Sequence, residues 1–118
     1  MKTDIKTIEI NGVEYVERTY VPEVVKNHVL VRTYSAGVHV GELISQKGKE
    51  VRLKNARRLW YWSGAASLSQ LAMEGVANPD SCKFPCEVAE ITLTEAIEII
   101  PCTAKAIKSI KEVPLWKK

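Results

Sequence analysis

The stretch Glu50-Val-Arg-Leu-Lys-Asn-Ala-Arg-Arg-Leu-Trp-Tyr-Trp62 decides how the rest of the chain reads. It is long for one strand, and its apolar residues change sides part-way. Val51 and Leu53 point one way, while Trp60 and Trp62 occupy the opposite parity. Successive strand side chains face opposite sides, so a continuous apolar face needs one extra residue near Asn55-Ala56. A β-bulge there supplies it, and bulges often re-aim side chains at sites. The residues re-aimed are Arg57 and Arg58, one residue ahead of a run of three of the chain's eight aromatic residues.

Outward from this strand, the alternation of period two continues. His28 to Tyr34 and Val38 to Ser45 read as strands separated by the tight turn Ser35-Ala-Gly37, and Gln46 to Lys49 is a second turn. Cys86 to Thr94 alternates again. Glu95 to Ile100 suits a strand or a helix by pattern, and its β-branched content with the following Pro101 favours a strand. Upstream, Ile8 to Val16 reads as a hairpin about Asn11-Gly12, the pair that best tolerates the positive φ of a two-residue turn. Glu17 to Lys26 is expected to be a connection, with Pro22 ending strand pairing.

Two short helices complete the pattern. Ser67 and Gln70 fit a capping box ahead of Leu68, Leu71 and Ala72, and Gly75 suits the C-terminal cap. Thr103 caps a second helix, Ala104 to Val113. Its apolar stripe is Ala106, Ile107, Ile110 and Val113, and its lysines gather at the C-terminal end. The sum is an α+β fold, mainly an antiparallel β-sheet of about five to seven strands with two short helices. Residues 1–27 form an N-terminal hairpin or leader, and residues 28–118 a single α+β domain. So many strands in a chain of 118 residues expose edges, and a homo-oligomer is expected to cover them.

Composition excludes several classes. A hydrophobic fraction of 46% with 26% charged residues is ordinary for a globular domain. No apolar run approaches the roughly 20 residues that span a bilayer. The N-terminus lacks the apolar core of a signal peptide, so the expected compartment is the cytoplasm. Three cysteines, Cys82, Cys86 and Cys102, argue against a disulfide framework, and their spacing with His39 is not that of a zinc site. No cofactor and no metal are expected. The net charge of +3 suits an anionic small molecule and is too mild to imply nucleic acid.

Binding a phosphate-bearing ligand with a base asks for cationic forks, flat rings and small residues that let backbone approach. Arg57 and Arg58 offer forks; on a regular strand only one reaches a given pocket. Trp60 and Trp62 offer rings. Arg32, Tyr34, Ser35 and His39 add donors to ribose or phosphate oxygens. Each has a plainer reading. Trp60 and Trp62 can fill the core, and an arginine can pair with Glu42 or Glu50. His39 can be a structural histidine, and Ser35-Ala-Gly37 lacks the strand-to-helix setting of known phosphate loops. No Ser-His-Asp or Cys-His order marks catalysis.

The segments Arg32-Thr-Tyr-Ser-Ala-Gly-Val-His-Val-Gly41, Asn55 to Gly64 and Leu93-Thr-Glu-Ala-Ile-Glu-Ile-Ile-Pro-Cys-Thr103 resemble a family of small phage and prophage proteins with no established activity. The likeness covers roughly residues 28 to 116. It implies a biological setting more than a mechanism. In that setting, small oligomeric phage proteins include sponges that capture nucleotide messengers of bacterial immunity, an analogy of size and context. The leading expectation is a host-cytoplasmic anti-defence protein that sequesters a nucleotide-derived messenger without catalysis. A protein-binding inhibitor or virion accessory protein, using the aromatic run as its interface, is the second expectation. A nucleic-acid binder is the third, with Arg32, Arg52, Lys54, Arg57 and Arg58 as a basic stripe, of which Arg52, Lys54 and Arg58 share one parity on the same strand.

Overall fold

The computed structural model describes residues 2–10 and 13–21 as backbone and residues 23–117 in full. The strands are β1 (Lys2–Ile10), β2 (Val13–Val21), β3 (Val24–Thr33), β4 (Val38–Lys47), β5 (Glu50–Arg58), β6 (Val88–Leu93) and β7 (Ala96–Thr103). The helices are α1 (Leu68–Glu74) and α2 (Ala104–Lys111). β1 pairs with β2 in antiparallel register from Ile10↔Val13 to Lys2↔Val21. The turn residues Asn11 and Gly12, and Pro22, lie outside the described residues. The expected connection from Glu17 to Lys26 is mostly strand instead. β2 runs on to Val21 and β3 begins at Val24, because Glu17 to Val21 keeps the alternating, β-branched and aromatic pattern of a strand.

The other five strands form one antiparallel sheet in the order β6-β5-β4-β3-β7. Its edges are consecutive in sequence, joined only by Thr94 and Glu95. A flat sheet of five strands would hold its edges about 19 Å apart, at ~4.8 Å per strand. The three-residue step from Leu93 to Ala96 reaches about 10 Å at most. The sheet therefore curls into a small, partly closed barrel. Ala96 N–H donates to the Lys49 carbonyl (3.0 Å) and Tyr34 N–H to that of Glu95 (2.9 Å), which stitch the corner.

The curl creates two cores. Val29, Val31, Val51, Leu53, Ala56 and Leu93 pack inside the barrel. Leu30, Val40, Leu59, Phe84, Cys102 and Ile110 join α1 and α2 in a layer on its outer face. Pro101 sits opposite Val29 on β7, an edge strand that tolerates a residue without N–H.

The helices are capped largely as the residues dictate. Ser67 Oγ accepts from Gln70 N–H (3.1 Å), and Thr103 Oγ1 accepts from Ala106 N–H (3.1 Å). The Gln70 side chain accepts from Ala66 N–H (2.8 Å), so the reciprocal arm of the box lands one residue early. Gly75 closes α1 with φ +78°.

A bulge falls where the parity change of β5 demands it. Val40 faces Arg57 and Glu42 faces Lys54, so Gly41 alone opposes both Asn55 and Ala56. Asn55 takes φ +50°, a region that Asn tolerates, and its amide donates to Glu42 Oε2 (2.8 Å). Gly41 is required opposite it: a Cβ there would lie 3.0 Å from Ala56 Cα and 3.1 Å from the Lys54 carbonyl oxygen. The extra residue puts Leu53 and Ala56 in the same interior cluster. It thereby sends Arg57 to the helix layer and Arg58 to the side of His39 and Ala56, the reverse of what an unbroken alternation from Val51 and Leu53 would give.

Candidate functional site

Arg57 faces the helix layer and is buried at 8% exposure. Its Nε donates to the Pro85 carbonyl (2.9 Å), Nη1 to that of Ile110 (2.9 Å), and Nη2 to those of Phe84 (3.0 Å) and Pro114 (3.4 Å). Its guanidinium carbon also lies 5.4 Å from the Phe84 ring centroid. The Ile110 carbonyl belongs to the last turn of α2, where a cation suits the helix dipole. Arg57 is a clasp joining β5, the 84–85 segment and the end of α2. Four of its five N–H donors are committed to backbone carbonyls, which leaves no two-pronged fork for a phosphate.

Arg58 points the other way and is exposed. Among the described residues it makes no hydrogen bond and no ion pair. It lines two cavities at once. One, of about 430 Å³, lies between the Ser35–Val38 turn and the segment after β5, and is lined also by Leu59, Trp60 and Trp62. The other, of about 250 Å³, opens at the mouth of the barrel beside His39, Ala56, Cys86, Val88 and Ile91.

The structure thus gathers Ser35, Arg58, Trp60 and Trp62 around one cavity. Trp60 is 65% exposed and is no core residue, whereas Trp62 is half-buried against the outer core. Ser35 Oγ donates to Glu95 Oε1 (3.0 Å), which sets a carboxylate near the cavity rim. The turn itself is braced by Thr33, whose Oγ1 donates to the Gly37 carbonyl (2.7 Å) and accepts from Ala36 N–H (2.8 Å). Gly37 adopts φ +83° with open space where a Cβ would stand.

Arg32 and Tyr34 line neither cavity. Arg32 sits 3.8 Å from Glu98 in an exposed pair, and Tyr34 is 77% exposed. The basic stripe does not form either. Arg52 pairs with Glu90, and the bulge turns Arg58 away from the face that Arg52 and Lys54 share. Sequence reasoning missed Cys86 as a wall of the barrel mouth. Its alternating neighbours hinted at a strand, but not at the cavity that the curl creates.

His39 is buried at 1% exposure, and its Nε2 lies 2.9 Å from the Ala36 carbonyl oxygen. A carbonyl only accepts, so Nε2 carries the proton. Burial lowers the His39 pKa from 6.5; the Ala36 bond opposes this and the Arg58 charge adds to it. Burial and Lys111 likewise lower that of His28. Both imidazoles stay neutral in the fold at pH values where the unfolded chain protonates. Stability from this source is therefore present above pH 6.5 and is lost as pH falls below it. Thermal melts on either side of pH 6.5 should show a decline on the acid side that His39→Gln partly flattens. Glu42, held below the usual carboxylate range chiefly by the Asn55 amide, titrates at lower pH and lies outside this window.

The cysteines are free, with Cys82 and Cys102 buried and Cys86 exposed. Burial pushes the Cys102 thiol up to about 12, which removes the reactive thiolate. Iodoacetamide should label Cys86 alone in the folded protein, with the other two reacting only after denaturation; mass spectrometry of peptides reads this directly. Among the described residues, no three His, Cys, Asp or Glu side chains gather to hold a metal ion. No described helix is long and apolar enough to cross a membrane.

No curated protein and no solved structure matches the chain. One family model does, over residues 26–110, a span that holds the barrel, the bulge, both arginines and nearly all of α2. The chain belongs to the family described as a domain of unknown function, DUF6948.

Proposed function

We propose that this protein binds an anionic, nucleotide-derived small molecule at Arg58 and sequesters it without turnover. The observation that carries the reading is a guanidinium without a bonded partner among the described residues, set between two cavities and beside Trp60 and Trp62. A phosphate oxygen would accept charge-assisted hydrogen bonds from Arg58, and a base would stack on an indole; each contributes about 1–3 kcal/mol. The biological setting of this reading is phage counter-defence in the host cytoplasm, with the protein as a homo-oligomeric sponge for an immune messenger. Sequestration needs slow release rather than chemistry. The test is a thermal-shift panel of nucleotides. A ligand at about 100 times its Kd adds about 2.7 kcal/mol, a rise on the order of 10 °C for a domain of this size. A panel in which no nucleotide moves the melting temperature would overturn the reading.

A second reading has its own observation. Trp60, Tyr61 (52% exposed), Leu115 (52%) and Trp116 (43%) are large and open to solvent. Lys83 Nζ lies 5.9 Å from the Tyr61 ring centroid and 6.0 Å from that of Trp116. Exposed aromatics with a cation are the usual anchors of protein interfaces. Under this reading the partner is a protein, and it co-purifies with the wild type but not with Trp60→Ala.

A further inference from the structure

Arg58 is shared by both cavities, and that position restricts the shape and charge of what it holds. The barrel-mouth cavity, at about 250 Å³, falls below the roughly 300–1,000 Å³ usual for a whole ligand. It suits one fragment of a larger molecule. Its walls, Ala56, Pro85, Val88 and Ile91, are apolar, and the Cys86 thiol stands at its edge. The neighbouring cavity offers Trp60 and Trp62 to a second fragment.

Charge narrows the linker between the fragments. Among the described residues, Arg58 is the only cation lining either cavity, while the Glu95 carboxylate bonded to Ser35 stands near the rim of one. His39, neutral in its burial, brings no compensating charge. A phosphomonoester carries nearly two negative charges near pH 7, and its second charge would lose water without gaining a cation. A phosphodiester carries one.

Building on the nucleotide-binding reading, we propose that the ligand is a two-headed phosphodiester. Its single anionic group sits at Arg58, one base stacks in the Trp60–Trp62 cavity, and a second planar group enters the barrel mouth. This is the chemistry of a dinucleotide rather than of a mononucleotide.

The test is calorimetric titration of the full chain with three probe sets covering the four bases. These are nucleoside 5′-monophosphates, 3′,5′-cyclic mononucleotides and linear dinucleoside monophosphates. The first set has one base and a dianion, the second one base and a monoanion, the third two bases and a monoanion. The best dinucleoside monophosphate should bind at least about tenfold more tightly than the best cyclic mononucleotide, and that in turn more tightly than the best monophosphate. Val88→Trp, a change at a half-open edge-strand position, should fill the mouth and erase the first difference only. Cys86→Phe serves as a second obstruction if Val88→Trp melts early. Equal affinity for one-headed and two-headed diesters, or tightest binding of a monophosphate through Arg58, overturns this inference and leaves the nucleotide reading standing. Absence of binding by all three sets overturns both.

Discussion

Replacing Arg57 with alanine is expected to lower folding stability by about 2–6 kcal/mol, from two backbone carbonyls left without a donor at about 1–3 kcal/mol each. Four backbone carbonyls lose a donor together: those of Phe84 and Ile110 keep the N–H groups of Trp116 (3.0 Å) and Val113 (3.3 Å), whereas those of Pro85 and Pro114 keep none among the described residues. An acceptor left buried without a partner costs about 1–3 kcal/mol, and part of that cost is relieved where water reaches the gap. The Phe84 ring loses the cation over its face as well. Typical domains are stable by roughly 5–15 kcal/mol, so the variant approaches the edge of folding. Arg57→Lys should recover only part, since an ammonium has three donors and no planar fork. Urea denaturation of the three proteins measures this. A loss below about 1 kcal/mol for Arg57→Ala would show that the clasp holds nothing that solvent does not.

Arg58→Ala should behave in the opposite way. Its side chain is exposed and bonds to nothing among the described residues, so the ligand-free variant should melt within a degree or two of wild type. Removing its charge also relieves one of the influences that lower the His39 pKa, which adds slightly to stability on the acid side of neutrality. Nucleotide affinity should fall about 10- to 100-fold, because hydrogen bonds to a charged group contribute about 1.5–3 kcal/mol and each 1.4 kcal/mol is a factor of ten. Arg58→Lys should keep the charge and lose the fork, and land between. Calorimetry gives the affinities and a thermal melt gives the control. The two measurements together separate unlike work at adjacent arginines, one holding the fold and the other facing the proposed ligand.

Much of this organisation could be seen in the residues. The opposed parities of Val51–Leu53 and Trp60–Trp62 placed the bulge at Asn55-Ala56, and Ser67, Gly75 and Thr103 marked helix ends, because caps and bulges are local chemistry. The division of labour between Arg57 and Arg58 could not be read the same way. Sequence shows that alternate residues face apart, but not that four carbonyls from residues 84 to 114 converge on one face. The barrel mouth was equally hidden. It exists because the two edge strands meet at Thr94-Glu95, a closure set by tertiary pairing of β3 with β7 and of β5 with β6. β2 runs five residues past the Val16 end expected for the hairpin, because Glu17 to Val21 keeps the pattern of a strand and a proline ahead in the sequence does not shorten it.

The central claim is that Arg58 anchors an anionic small molecule. Native mass spectrometry of the protein taken from bacterial cells with an active nucleotide-signalling defence tests it most directly. The account predicts an added small-molecule mass on wild-type protein that is absent from Arg58→Ala purified in parallel. A retained mass equally abundant on both proteins, or none on wild type, would contradict it.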